Sequence, residues 1–145
     1  MTNTANNAPA VDEISEEQRQ QWLRAQYQHA CKYLADKGIV TNSVMVEDSR
    51  YIAPIVSVWK LKTINNKWLW VISGDLPSDH VNIEVANNAQ EVLRHFSMKW
   101  QLQAENINRN NASDEQQKNY AQLLISRADG LYKLSHEDAL WSNNG

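Results

Sequence analysis

Three side chains that bind metals or exchange protons lie close together near the middle of the sequence. Asp75, Asp79 and His80 share one polar segment, which follows a run of β-branched and aromatic residues. Carboxylate and imidazole groups are common ligands of divalent cations. A metal bound here would assist hydrolysis. Without a metal, the same residues would bind a small ligand. Arg94 and His95, farther along the chain, are candidates to complete the site.

A structural interpretation of the same segment is simpler. Gly74-Asp75 and Pro77-Ser78-Asp79 are common turn-forming sequences, and their side chains satisfy nearby backbone groups. His95 follows Glu91 at helical spacing, which favours a surface pair. The sequence has no HExxH motif and no cysteine cluster. It therefore favours a loop made of turns over a metal or catalytic site, and it indicates no cofactor.

Arg127 is a further candidate because it falls in the middle of a predicted apolar helix face. Tyr120, Leu124 and Leu131 surround it at helical spacing. A buried arginine needs a carboxylate or an anionic ligand to offset the cost of its desolvation. We predict a buried ion pair within the chain; a solvent-directed side chain and a ligand anchor are the alternatives.

Three tryptophans, at positions 59, 68 and 70, lie among lysines in the most strand-like part of the chain. Aromatic rings with nearby cations can form a stacking platform for single-stranded nucleic acid. Pairing the strands around a two-residue turn places Trp59 opposite Ile72 and Leu61 opposite Trp70, which would bury both indoles on one face. The net charge of −3 also disfavours a nucleic-acid partner.

Two aromatic residues beside the apolar stripe of the first predicted helix are candidates for a partner-binding patch. Trp22 and Tyr33 flank that stripe, and tryptophan and tyrosine anchor many protein interfaces. Cys31 lies in the same helix among apolar residues, which predicts an inert thiol. Since the chain also lacks GxSxG, P-loop and GxGxxG motifs, the sequence favours a protein that is not an enzyme.

The elements that must position these groups alternate between helical and strand patterns. Three segments repeat apolar residues at helical spacing, and two strand-like runs flank Asn65-Asn66, a pair suited to a two-residue turn. We predict an α+β fold in which three helices cover a small antiparallel sheet. The predicted helices span about 15–37, 88–108 and 114–135, and the predicted strands span 53–62, 67–74 and, at the sheet edge, 81–85.

Local signals set the predicted boundaries. Ser15 with Gln18 has the pattern of a capping box at the start of the first helix. Ser113 is the predicted start of the third helix, after an Asn-rich loop at 106–111. Residues 39–51 have no clear periodicity, and we predict a linker there.

Length and composition predict one domain over 14–141 after a disordered tail at 1–13. A single cysteine excludes an internal disulfide, and no segment has the apolar length of a membrane span. We therefore expect a cytoplasmic protein without a membrane partner.

The leading hypothesis for function is a non-enzymatic protein-interaction module whose partner is another protein. The alternatives are a metal-assisted hydrolase or small-ligand binder, and an oligonucleotide-binding protein that uses the tryptophan hairpin. A homodimer through the sheet is a further expectation if the predicted outer-face valines, Val56, Val58 and Val71, are uncovered.

Three sequence motifs resemble those of a small bacterial family that is catalogued only as a domain of unknown function. They are Ser49–Pro54, Trp70–His80 and the run from Leu93-Arg94-His95-Phe96-Ser97 through Trp100. The resemblance covers roughly residues 16 to 141. It implies a bacterial cytosolic protein, and it supplies no activity, substrate or catalytic residue.

Overall fold

The computed structural model describes residues 14–110 and 113–141. The chain divides into two compact units, of which the first runs through His80 and the second starts at Val81. The first unit holds a long helix and nearly all of an antiparallel sheet, and the second holds the remaining helices. The α+β prediction is confirmed. The single domain predicted over 14–141 stays a prediction, and the predicted tail at 1–13 lies outside the described residues.

Five strands and four helices make up the described chain. The strand order is β1-β3-β4-β5, and β2 also pairs with β3. Short 3₁₀ turns follow β1 and β5. The elements are α1 Glu16–Asp36, β1 Thr41–Val44, β2 Arg50–Ile52, β3 Val56–Thr63, β4 Trp68–Gly74, β5 Leu76–Asn82, α2 Ala89–Asn110, α3 Glu115–Ser135 and α4 Asp138–Trp141.

Helix α1 begins and ends where local signals predicted. The Ser15 hydroxyl accepts a hydrogen bond from the Gln18 N–H at 3.0 Å, and the Gln18 side chain accepts one from the Ser15 N–H at 2.9 Å. The predicted capping box is therefore confirmed. At the other end Gly38 follows the cap residue Lys37 with φ +84°, the left-handed conformation that ends many helices.

The hairpin between β3 and β4 has a three-residue loop, not the predicted two-residue turn. The Thr63 N–H donates to the Lys67 carbonyl at 2.8 Å, so these two residues close the loop. Asn66 has φ +66°, the left-handed conformation that often completes a three-residue hairpin loop. This loop shifts the register by one residue, so Trp59 lies opposite Val71 and not Ile72.

The register shift places the two indoles on opposite faces of the sheet, because neighbouring residues of a strand point to opposite sides. Trp59 belongs to the core cluster that includes Leu34 of α1. Trp70 lies opposite Lys60 on the other face. Both indoles are buried, at 8% and 1% exposure, as predicted. Their predicted position on one shared face is wrong.

A buried pair of serines accompanies this register. Ser57 lies directly opposite Ser73, and their hydroxyl oxygens are 2.8 Å apart. The Trp59 indole N–H donates to the Ser57 hydroxyl at 2.9 Å, so its polar atom is satisfied inside the sheet. Cross-strand hydroxyl pairs of this kind stabilise a register.

Two segments predicted as linker and loop are strands. The predicted linker at 39–51 contains β1 and most of β2, both of which pair with β3. The polar segment after Gly74 is β5, while the edge strand predicted at 81–85 is largely a 3₁₀ turn at Ile83–Val85. Pro77 gave this segment the appearance of a turn. It is tolerated because β5 is an edge strand, where a missing backbone donor leaves no partner unsatisfied.

The valines proposed for a homodimer are not available on a sheet surface. Val56, Val58 and Val71 have 2%, 2% and 0% exposure in a single chain. The one-residue change of register also puts Val71 on the same face as Trp59, away from the other two. The condition stated for a dimer through the sheet is therefore not met, and a homodimer stays a prediction.

In the second unit α2 and α3 pack against each other over most of their length. Helix α2 continues to Asn110, so the loop predicted at 106–111 is helix over most of its length. Asp114, not Ser113, caps α3 by accepting a hydrogen bond from the Gln117 N–H at 3.1 Å. Helix α3 runs through Gly130 without a break. No helix in the described ranges is long and apolar enough to cross a bilayer.

Arg127 lies beside the buried face of α3 and not within it. The buried stripe includes Ala121 and Ala128, and the Ser97 hydroxyl of α2 donates to the Ala128 carbonyl at 2.9 Å. Close approach of two helices favours such small residues at the contact, which rotates the buried face away from the predicted one. Arg127 is half-buried and donates to the Ser126 hydroxyl at 3.3 Å. The prediction that it is buried is therefore wrong.

Candidate functional site

The carboxylates and imidazole of the central polar segment do not form one cluster. Asp75 is exposed at the bend between β4 and β5, and Asp79 and His80 are half-buried on β5. The Asp79 carboxylate accepts a hydrogen bond from the His80 N–H at 2.8 Å, as expected of a structural role. No three His, Cys, Asp or Glu side chains come together as a metal site anywhere in 14–110 or 113–141.

His80 instead belongs to a polar seam between α1 and β5. Its Nδ1 lies 2.9 Å from the Tyr33 hydroxyl, and the His29 Nε2 lies 3.0 Å from the Ser78 hydroxyl. His29 and Tyr33 are one helical turn apart, and Ser78 and His80 are two residues apart on one strand face. Sequence reasoning missed His29, although matching this i, i+4 pair to the i, i+2 pair could have indicated the seam.

The two residues of the predicted partner patch occupy separate places. Both lie on α1, about three helical turns or about 16 Å apart along its axis. Trp22 is half-buried with its ring 6.4 Å from that of Tyr51. The Tyr33 ring lies 5.6 Å from His80, and the Lys37 ammonium lies 5.2 Å from its centre. Each aromatic ring is therefore engaged by neighbours within the chain.

The tryptophan hairpin lacks the open stacking surface that nucleic-acid binding would require. Trp59 and Trp70 are buried, which leaves only half-buried Trp68 of the three. The Lys60 and Lys62 ammonium groups lie 5.6 and 5.9 Å from the centre of the Trp68 ring. These cation–π contacts, and an ion pair of Lys60 with Asp48 at 2.9 Å, use the lysines within the sheet.

The environment of Tyr27 shifts the pKa of its phenol. Its ring meets Trp59 edge-on with the ring centres 5.3 Å apart. Burial raises the pKa of the Tyr27 phenol, and the electrostatic interaction and hydrogen bond with the nearby Cys31 side chain raise it further. The phenol therefore stays protonated at neutral pH.

This raised pKa predicts a contribution of Tyr27 to alkaline unfolding. The unfolded value is about 10, so stability from the neutral phenol is present below pH 10 and lost as the pH rises through the folded pKa. Tyr27→Phe should make the free energy of unfolding fall less steeply than wild type above pH 10, measured by urea denaturation from pH 8 upward. Tyr132→Phe, at an exposed tyrosine, is the control. Equal slopes for wild type and Tyr27→Phe would contradict the assignment.

A long groove, here called the α2 groove, runs along one side of α2. Its volume is about 700 Å³. The predicted site residues Arg94 and His95 both lie in it, so the structure places them with each other on one surface. The groove is lined by Val85, Glu91, Arg94, His95, Met98, Lys99, Leu102, Gln103 and Asn106.

The apolar part of the α2 groove is exposed. Met98 and Leu102 have 66% and 56% exposure and lie one helical turn apart, and Val85 has 43%. Met98 and Leu102 face away from the buried stripe of α2, which includes Phe96 and Trp100. Sequence reasoning missed Met98 and Leu102 because an apolar residue outside the main stripe carries no signal of its own.

The charged side chains of the α2 groove contact other residues of the second unit. The Arg94 guanidinium donates to the Ser135 carbonyl, at the C-terminus of α3, at 3.2 Å. The Lys99 ammonium lies 5.5 Å from the centre of the Phe96 ring. The Glu91 carboxylate accepts a hydrogen bond from the Asn87 N–H at 2.9 Å, near the start of α2. The groove therefore combines an apolar floor with two cationic side chains, Arg94 and Lys99. One anionic side chain, Glu91, lies near the N-terminal end of α2.

Comparison with known proteins identifies a family that is described only as a domain of unknown function. No curated protein and no solved structure matches the chain. A family model described as a domain of unknown function (DUF4826) matches residues 16–141, from the first residue of α1 to the last of α4. The predicted resemblance to a domain of unknown function is thereby confirmed, and the chain belongs to the DUF4826 family.

Proposed function

We propose that this chain is a non-enzymatic protein-interaction module of the bacterial cytoplasm. In this proposal the α2 groove binds an acidic, amphipathic helix of a partner protein. The observation that carries it is the exposure of Met98 and Leu102 on the floor of a concave surface. Exposed apolar side chains in a groove with a polar rim are typical of protein-binding sites.

The dimensions of the groove support a helical partner. Its lining residues run from Glu91 to Asn106, which is about 22 Å or about four turns along α2. A partner helix of similar length can lay its apolar face along this floor, with anchors at i, i+3 or i+4 and i+7. Met98 favours such a role because its flexible thioether adapts to the shape of a partner side chain.

The charges of the groove support an acidic partner. Arg94 and Lys99 line it with Glu91 as the only carboxylate among the lining residues, although the whole chain carries a net charge of −3. This local positive charge complements Asp or Glu residues that flank the apolar face of a partner helix. Complementary charges mainly speed association and select the partner, while apolar anchors supply most of the affinity.

The proposal predicts that two groove substitutions strongly weaken partner capture. The tagged full chain is used to capture proteins from a lysate of the source organism, with the bound proteins quantified by mass spectrometry. Met98→Glu with Leu102→Glu should weaken capture roughly tenfold to hundredfold, because both anchors become charged and repel an acidic helix. Lys99 cross-links should identify an acidic amphipathic segment in the captured protein.

Ile125→Glu is the matched control, since Ile125 is an exposed apolar residue of α3 that does not line the groove. This variant should capture the partner as wild type does. Equal capture by the double variant, or a Lys99 cross-link to a segment without the acidic amphipathic pattern, would overturn the proposal. A second copy of this chain as the main cross-linked species would also overturn it.

A further inference from the structure

A second concave site lies in the first unit, between α1 and the sheet. We call it the Arg24 pocket. It has a volume of about 290 Å³, and it opens beside β1 and β3. Sites for small molecules begin at about this volume, so the pocket suits a ligand of fragment size. Its lining residues are Gln20, Leu23, Arg24, Tyr27, Val44 and Trp59.

The floor of the Arg24 pocket is made of hydrocarbon. The Trp59 indole N–H is already used, because it donates to Ser57 at 2.9 Å inside the sheet. The Tyr27 phenol is engaged with Cys31, and its raised pKa keeps it neutral. Tyr27 is half-buried and offers ring atoms to the pocket, while Trp59, which meets it edge-on at 62°, is 8% exposed and contributes only a small part of its indole. Leu23 and Val44 complete this apolar lining.

Arg24 supplies a positive charge at the rim. It is exposed, and it makes no hydrogen bond or ion pair with any residue in the described ranges. Its helical neighbours one turn away, Gln20 and Gln28, are uncharged. By contrast, Arg19 and Lys32 of the same helix are paired with carboxylates at 3.6 and 3.0 Å. As far as residues 14–110 and 113–141 are concerned, the guanidinium of Arg24 is thus available for a ligand.

We propose that the Arg24 pocket binds a small monocarboxylate whose apolar body is the size of one aromatic ring. The ring packs mainly on Tyr27 and Leu23, beside the small exposed part of Trp59, and the carboxylate pairs with Arg24. A guanidinium binds a carboxylate through two parallel N–H···O hydrogen bonds, which a neutral amide cannot reproduce. This site is separate from the α2 groove, and it requires no partner protein.

The test compares 3-phenylpropionate with its neutral amide, 3-phenylpropanamide, on the ¹⁵N-labelled full chain. The acid should shift the assigned indole N–H cross-peak of Trp59. It should also bind about fivefold more tightly than the amide, as expected for an ion pair at an exposed rim. Arg24→Gln should remove this preference, because it keeps a polar side chain of similar length and deletes the charge.

Arg109→Gln is the control, since Arg109 is an exposed arginine of α2 whose loss removes the same charge elsewhere. It should leave the preference for the acid unchanged. A Trp59 cross-peak that neither compound shifts would overturn the proposal. Equal affinity for acid and amide in wild type, or an unchanged preference in Arg24→Gln, would overturn it as well.

Discussion

Replacing Gly74 with alanine is expected to lower the free energy of unfolding by about 3 kcal/mol. Gly74 has φ +145°, a backbone conformation that side chains essentially forbid. A Cβ atom there would overlap the Ile55 carbonyl oxygen and lie 2.9 Å from the Val56 Cα. Both obstacles are backbone atoms of the neighbouring segment at Ile55 and Val56, so neither can rotate away.

The same substitution would also disturb the bend that starts β5. The Asp75 N–H donates to the Ile55 carbonyl at 2.9 Å, and a Cβ on Gly74 would push this carbonyl aside. Chemical denaturation followed by circular dichroism measures the loss. Gly130→Ala is the control, because Gly130 lies inside α3 with open space around it and should stabilise the chain by about 1 kcal/mol. Similar effects at the two glycines would contradict this account of Gly74.

Replacing Trp100 with alanine is expected to lower the free energy of unfolding by about 3 to 5 kcal/mol. Trp100 is 1% exposed on the buried side of α2, and its ring centre lies 5.7 Å from that of Phe96. Truncation removes the whole indole and leaves a cavity that the helix backbone cannot fill. Urea denaturation monitored by far-UV circular dichroism measures this change.

Met98→Ala is the matched control for Trp100, since Met98 lies on the opposite, exposed side of the same helix. Its cost should stay below about 0.5 kcal/mol, as is usual for surface positions. This result would also establish that substitutions in the α2 groove leave the fold intact, so that lost capture reports on binding. A loss at Met98 comparable with that at Trp100 would contradict the assignment of the two sides of α2.

The α2 groove and the Arg24 pocket can be tested independently. They lie in different units, and the ligands proposed for them differ in size: a helix of about four turns and a single ring with a carboxylate. Substitutions in one should leave binding at the other unchanged. A chain that binds both would link a small metabolite-like acid with a protein partner.

Local chemistry was sufficient to predict the helices. The capping box of Ser15 and Gln18 involves neighbouring residues alone, so no tertiary contact is needed to recognise it. The apolar stripe of α2, with Phe96 and Trp100, follows from helical spacing in the same way. Helix α3 was predicted with its limits nearly right, although its buried face was placed one residue out at Arg127.

The register of the hairpin could not be predicted because the same residues are compatible with two loop lengths. Asn65-Asn66 suits a two-residue turn, but a three-residue loop with Asn66 in the left-handed conformation forms instead. A difference of one residue turns every side chain of a strand to the other face. The burial of Trp59 and Trp70 was therefore correct, while their common face was not.

The composition and local spacing of this sequence determined its class, its three long helices and its hairpin, since those depend on neighbours along the chain. The tertiary structure alone decided which side chains meet. It paired His80 with Tyr33, and it left Met98 and Arg24 exposed beside concave surfaces. Such sites depend on strand register and helix rotation. A linear pattern of apolar residues does not determine either of them.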